Sequence, residues 1–299
     1  CKTFGGIEMS GFEGKVAVVT GAGGGLGRCH ALGLAELGAK VVVNDLGGAV
    51  DGSGAGDMAD EVVAEIKAAG GEAITNKASV ADKDGARSIV EDAVNAFGTI
   101  DILVNNAGIL RDKSFKKMTL EEFDLVMQVH IMGTAYVTHH AWPIMYEKNY
   151  GRIVVTSSTS GIFGNFGQAN YGAAKMGMLG LMNVLALEGA SHNIKVNTLS
   201  PAASTRMTAT IPGYASDDGE ARPEMAPDLV TPAVLFLCSE DAPTSTVIQA
   251  GGGRFLTNEV YMNEGVNLGI EASYDKFLEN KDKILDMSQA KKGGLRRSS

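Results

Sequence analysis

Tyr171 and Lys175 stand four residues apart in the run N-Y-G-A-A-K-M-G-M-L-G, residues 170–180. Four residues is about one helical turn, so a helix here carries a phenol and an ammonium on one face. Such a pair suits the oxidation of an alcohol, in which the O–H proton must leave while hydride leaves the carbon. A tyrosine relays that proton well only if its pKa of about 10 is drawn toward neutrality. A cation one turn away favours the phenolate and does this. The lysine can also hold a ribose hydroxyl. Gly172, Ala173 and Ala174 leave room beside the phenol. Ser158 precedes Tyr171 by 13 residues and could donate to the substrate oxygen as charge develops there. A lone Tyr-x-x-x-Lys is a common accident, so the rest of the chain must decide its meaning.

Hydride transfer needs an acceptor, and V-V-T-G-A-G-G-G-L-G-R (18–28) offers a place for one. Gly21, Gly25 and Gly27, with Leu26 between the last two, fall where a first strand would turn into a first helix. Glycines let the backbone approach a pyrophosphate, and the helix N-terminus offers it free N–H groups. Asp45 ends the second strand pattern, 18 residues after Gly27. A carboxylate there accepts from the adenosine ribose hydroxyls and repels a 2′-phosphate, which favours NAD over NADP. Residues 41–50 hold no Arg, although Arg28 follows the turn and could answer a 2′-phosphate.

Alternating elements must position these groups. β-Branched runs predict strands at 15–20, 40–45, 101–106, 152–157 and 194–199, with weaker ones at 72–76 and 246–249. Helical patterns lie near 25–38, 57–69, 82–97, 119–148, 169–190 and 228–239. Nearly continuous apolar strands imply a sheet buried on both faces, and strand–helix alternation implies right-handed βαβ units. The fold class is α/β, a Rossmann-type doubly wound parallel sheet of about seven strands with helices on both faces. One domain is expected over about 11–270, with a lid at 202–228 carrying Met207, Ile211 and Met225. Residues 271–299 read as an extension, a helix followed by a disordered tail. The Gly-rich run 46–57 reads as a mobile loop.

The 299 residues carry a net charge of −9, which argues against nucleic acid as a partner, since phosphate backbones need a basic face. Cys1, Cys29 and Cys238 are scattered without ligand spacing, so no metal is expected and a reducing compartment is. The N-terminus lacks an apolar leader, the longest apolar stretch is too short for a bilayer, and the chain does not end in Ser-Lys-Leu. A cytoplasmic protein with no membrane association is the expectation.

Taken together, T-G-x-x-x-G-x-G (20–27), N-N-A-G (105–108), Ser158 and Y-x-x-x-K (171–175) resemble the short-chain dehydrogenase/reductase family over about 11–250. The resemblance implies NAD as cofactor and Ser158, Tyr171 and Lys175 as catalytic residues. It places Asn106, Ala107 and Gly108 on the cofactor, with Pro201 and Thr205 near the nicotinamide. Ser79 and Val80 would line the adenine pocket, where the family usually has Asp-Val. His130 stands where the family usually has an Asn that orders a relay water. A His could do so too, and it titrates near neutrality. Ala202 replaces a common Gly after Pro201.

V-V-V-N-D-L-G-G (41–48), N-N-A-G-I-L-R-D-K-S-F (105–115) and G-N-F-G-Q-A-N-Y-G-A-A-K (164–175) resemble one branch. It is the (3R)-hydroxyacyl-CoA dehydrogenase branch found in the type 2 multifunctional enzymes of β-oxidation. That implies NAD-dependent interconversion of (3R)-hydroxyacyl-CoA and 3-ketoacyl-CoA. The chain stops at 299, so the hydratase activity of those fusions is not expected of it. Arg111, Lys113, Lys116 and Lys117 form a dense basic patch that would suit the CoA phosphates, or a solvated helix approach. A steroid or a 3-ketoacyl-ACP remains an alternative substrate, and an NAD-binding regulator a different class. The apolar helix after Tyr171 would need a partner on its outer face, which suggests a homodimer or homotetramer formed through it and 119–148.

Overall fold

The Val- and Ile-rich runs fold into a sheet covered on both sides by helices. This computed structural model describes residues 3–4, 7–8, 11–49, 51–54, 56–205 and 222–293. The strands are β1 (Val16–Thr20), β2 (Lys40–Asn44), β3 (Ala73–Asn76), β4 (Ile102–Asn105), β5 (Gly151–Thr156), β6 (Ile194–Ala202), β7 (Val247–Gly251) and β8 (Arg254–Asn258). Their spatial order is β8-β7-β6-β5-β4-β1-β2-β3, and β1 to β7 are mutually parallel. Val18 sits opposite Val42 on one side and Leu103 on the other. β8 was not foreseen. Gly252 and Gly253, with φ of 56° and 71°, make a two-residue turn that returns it beside β7, so it must run antiparallel.

The order reverses between β1 and β4, and a crevice opens beyond the carboxyl ends of those two strands. The helices are α1 (Gly25–Glu36), α2 (Met58–Ala68), α3 (Lys83–Phe97), α4 (Leu120–Met127), α5 (Gly133–Glu147), α6 (Thr159–Phe163), α7 (Ala169–Gly189) and α8 (Thr231–Cys238). One apolar core joins Val41, Val43, Val104, Leu34, Ile66 and Leu237, under α1, α2 and α8. The other joins Val18, Leu103, Val155, Ile89, Val137 and Met178, under α3, α5 and α7. Fully burying one such aliphatic side chain contributes about 1.5–3 kcal/mol, so these two layers stabilise the sheet whose strand ends form the crevice.

Between α4 and α5, the expected helix 119–148 contains a π-helical turn at Gln128–Met132. α4 begins with a capping box in which Thr119 and Glu122 satisfy each other's backbone N–H groups. The chain divides into two compact units, residues 1–256 and 257–299, whereas the sequence suggested a division near 270. In the second unit Tyr261–Met262 pairs with Lys291–Lys292, which lie in the run expected to be disordered. Two short helices, Tyr274–Glu279 and Lys281–Leu285, replace the single expected helix, because Asn280 breaks it and donates its side-chain amide to the Lys276 carbonyl (2.8 Å).

Candidate active site

The crevice holds a cleft of about 330 Å³, inside the range of small-molecule sites. Its wall contains Gly21, Gly25, Leu26, Asp45, Ser79, Val80, Asn106, Ala107, Gly108, His130, Tyr171, Lys175, Pro201 and Thr205. Two of the residues singled out from the sequence, Gly27 and Ser158, do not line it.

Gly27 has a packing role instead. A Cβ there would lie 2.1 Å from the Gly21 carbonyl oxygen, so only glycine lets α1 begin this close to the turn. Gly21 and Gly25 have φ of 62° and 51°, the left-handed region that favours glycine. The Asn106 amide ties the turn down by donating to the carbonyls of Thr20 (3.1 Å) and Gly21 (3.0 Å). No side chain caps the N-terminus of α1, and Gly24, Gly25 and Leu26 face the cleft. Uncapped N–H groups at a helix start are a ready pyrophosphate site, so this end fits a dinucleotide. Asp45 accepts from the amides of Gly23 (2.8 Å, Oδ2) and Gly47 (2.7 Å, Oδ1), which fixes its carboxylate at the cleft wall. Arg28 does not face it, being paired with Glu65 across the surface.

The pair expected to be catalytic, Tyr171 and Lys175, lines the same cleft. Tyr171 and Lys175 occupy the first turns of α7, with Lys175 Nζ 5.5 Å from the Tyr171 ring centroid. The start of α7 is held to the 111–122 segment. Gln168 donates to Asp112 (2.6 Å), and Asn170 donates to the carbonyls of Arg111 (3.2 Å) and Glu122 (3.3 Å). No local pattern marks these ties, because the partners lie 48 to 59 residues away. Lys175 is buried and donates to the Thr156 carbonyl (2.7 Å). Burial pulls its pKa down to about 7, so the ammonium foreseen from the sequence loses its proton far more readily than an exposed lysine does. Of the two serines that follow β5, Ser157 lines the cleft, but its hydroxyl donates to the Lys175 carbonyl (2.7 Å). Ser158 caps α6, its oxygen accepting from the Ser160 amide (3.2 Å). That hydroxyl still has its own proton to give. α6 crosses α7 closely enough that a Cβ on Gly172 would lie 3.1 Å from the Ser160 carbonyl, which sets α6, capped by Ser158, against the first turn of α7.

His130 sits in the π-helical turn, edge-on to the Tyr171 ring with centroids 5.2 Å apart. Its Nε2 lies 2.8 Å from the Ile109 carbonyl and 3.1 Å from the Ile109 amide nitrogen, so this one ring nitrogen meets both the C=O and the N–H of Ile109. Nδ1 is buried with no partner among the described residues. A Cβ on Gly108 would lie 2.3 Å from this ring, which explains the glycine of N-N-A-G. Burial, reinforced by the charge of Lys175, pushes the imidazole down to about 3. The expectation that it titrates near neutrality is therefore corrected, because a fully buried ring cannot be charged cheaply.

Other expectations are refined too. Ala202 needs no glycine, since β6 runs straight through it beside Gly251, where a Cβ would clash with the Ala202 carbonyl. Ser79 accepts from the Ala81 amide (3.3 Å), and Val80 packs under Gly133. The basic patch is largely spent. Arg111 Nε donates to the Asp51 carbonyl (2.9 Å), and Lys113 pairs with Glu122 (2.6 Å), leaving Lys116 and Lys117 exposed. Of the lid expected at 202–228, residues 206–221, with Met207 and Ile211, lie outside the described residues; the Met225 carbonyl accepts from the Ser204 amide (2.7 Å).

A family model described as short chain dehydrogenase matches residues 15–213. The chain belongs to that family. A short-chain type dehydrogenase/reductase of Mycobacterium tuberculosis is 50% identical over 290 residues, covering 96% of this chain and all of its relative. Peroxisomal multifunctional enzyme type 2 of Mus musculus is 53% identical over 230 residues, covering 77% of this chain but only 30% of that enzyme. The solved full-length peroxisomal multifunctional enzyme type 2 of Drosophila melanogaster superposes with a TM-score of 0.77 at 38% identity, over 95% of this chain and 47% of that one. The chain thus spans under half of each of these two multifunctional enzymes. It is an oxidoreductase of a family that typically uses a nicotinamide cofactor, and no helix among its described residues is long and apolar enough to cross a membrane.

Proposed function

We propose that the protein interconverts (3R)-hydroxyacyl-CoA and 3-ketoacyl-CoA with NAD. The observation that carries this reading is one cleft lined both by the fixed Asp45 carboxylate and by Tyr171 with buried Lys175. Likeness to the type 2 multifunctional enzymes supports the substrate class, and exposed Lys116 and Lys117 suit CoA phosphates. NAD is favoured over NADP because Asp45 would repel a 2′-phosphate and Arg28 is engaged by Glu65. The cytoplasm is the proposed compartment.

The bound nicotinamide would accept the hydride that leaves C3 of the hydroxyacyl chain. Tyr171 takes the hydroxyl proton as the C3–O bond becomes a carbonyl. Lys175 stabilises the resulting phenolate while charged and holds the nicotinamide ribose. Ser158 donates to the substrate oxygen. His130, neutral, packs edge-on against the phenol and fixes where its oxygen points. In the reductive direction Tyr171 returns the proton.

The test is absorbance at 340 nm with 3-ketoacyl-CoA or (3R)-hydroxyacyl-CoA. Tyr171→Phe should lower kcat by roughly 100- to 10,000-fold, the usual worth of a general acid/base, with KM little changed. NAD should be preferred to NADP at least tenfold in kcat/KM, and Asp45→Ala should erase that preference. A fully active Tyr171→Phe enzyme would refute the assignment.

A further inference from the structure

The Gly-rich run after Asp45 is not a loose loop. Its base is closed where Gly47 meets Gly56: a Cβ on Gly47 would lie 2.2 Å from the Gly56 amide nitrogen, and the Gly56 amide donates to the Leu46 carbonyl (3.2 Å). Its tip is a tight turn. The Ala49 amide donates to the Ser53 carbonyl (2.7 Å), and the Asp51 carboxylate accepts from both the amide (3.0 Å) and the hydroxyl (2.7 Å) of Ser53. A compact closed loop of this length on a surface is commonly functional.

Where the loop goes matters more than its shape. It leaves the Asp45 end of the cleft, and Leu46, Gly48, Ala49 and Gly52 join the cleft wall. At its tip Gly52 lies against Ile109; a Cβ there would lie 3.2 Å from the Ile109 side chain. Beside it, Arg111 Nε donates to the Asp51 carbonyl (2.9 Å), with the guanidinium 3.7 Å from the Asp51 carboxylate. The run therefore spans from the ribose-binding end to the segment that anchors the catalytic helix, whose Asn170 donates to the Arg111 carbonyl.

We propose that this loop is a strap across the bound dinucleotide and that Arg111 is its latch, a positioning residue that sets how fast the cofactor leaves. The inference rests on the nicotinamide reading of the cleft. It gives Arg111 a role other than the CoA phosphates. The bond is charge-assisted and only partly exposed, so its loss frees the strap tip while leaving Asp45, Tyr171 and Lys175 in place. Because the Arg111 carbonyl belongs to the backbone, the tie to Asn170 survives substitution of the side chain.

NADH binding to the full chain tests this without any turnover. Arg111→Met should raise the NADH dissociation constant roughly tenfold, mostly through a faster dissociation rate in stopped-flow fluorescence, with little change in the substrate KM. Gly52→Val, which wedges the strap away from Ile109 at a φ of 88°, should do the same. In the wild-type protein, NADH should slow amide hydrogen exchange in peptides covering 46–57, a readout that needs no variant to fold. Unchanged NADH affinity and release in both variants, or no protection of 46–57 by NADH, would overturn the strap. A raised acyl-CoA KM with unchanged NADH binding would overturn it too, and would make Arg111 a substrate ligand. Failure of the wild-type protein to bind NADH at all would overturn both the strap and the nicotinamide reading.

Discussion

Two histidines show how far burial alone can move a side chain. His30 in α1 lies within hydrogen-bond distance of the Thr231 hydroxyl (3.1 Å), and burial pushes its pKa down to about 3, as it does for His130. In the unfolded chain both should titrate near the ordinary 6.5 or so. The unfolded state then binds more protons than the native state between about 6.5 and 3. The stability these neutral rings confer is present above 6.5 and is lost as pH falls through that window, at about 1.4 kcal/mol per pH unit for each. Urea unfolding at pH 8, 6 and 5 should show this acid limb, and His30→Gln should make it shallower by one proton's slope. An unchanged slope would mean that His30 is not buried neutral in the native state. These shifts could not be read from sequence, since His130 is one letter in V-M-Q-V-H-I-M-G and its environment comes from Ile109, Gly108 and Tyr171.

Elements were more legible, for a physical reason. The strands are runs of β-branched residues and most helices carry a steady apolar period, both local properties. α6 has five residues, too few to show a period, and the π-helical turn adds one residue to a helix without changing its hydropathy. The glycine turn and Tyr171–Lys175 were legible because their chemistry depends on spacing within one element. The bond from Arg111 to Asp51 joins residues 60 apart and had no local signature. α7 also leaves an apolar stripe uncovered. Met176, Val184 and Leu187 are exposed on it, with Gly180 between, and Met132 and Tyr146 are exposed along the neighbouring 119–148 helices. A monomer has little reason to expose such a row, and a second copy would bury it. We expect sedimentation at micromolar concentration to show at least a dimer. Val184→Glu should shift it toward monomer. A wild-type monomer would contradict the proposal.

At the scale of the whole molecule, the parallel sheet sets one crevice at its reversal point, and the groups that matter converge there from distant parts of the chain. The glycine turn follows β1, Asp45 follows β2, Asn106 follows β4 and Lys175 rises from α7. The family follows from that assembly together with the matched model, whereas the acyl-CoA is the step that needs chemistry. The most direct measurement is NADH formation at 340 nm from medium-chain (3R)- and (3S)-hydroxyacyl-CoA, with a 17β-hydroxysteroid and a 3-hydroxyacyl-ACP in parallel. Turnover of the (3R) thioester of CoA is expected at a kcat/KM at least a hundredfold above the others. Turnover of the steroid, of the ACP thioester or of the (3S) enantiomer in its place would contradict it.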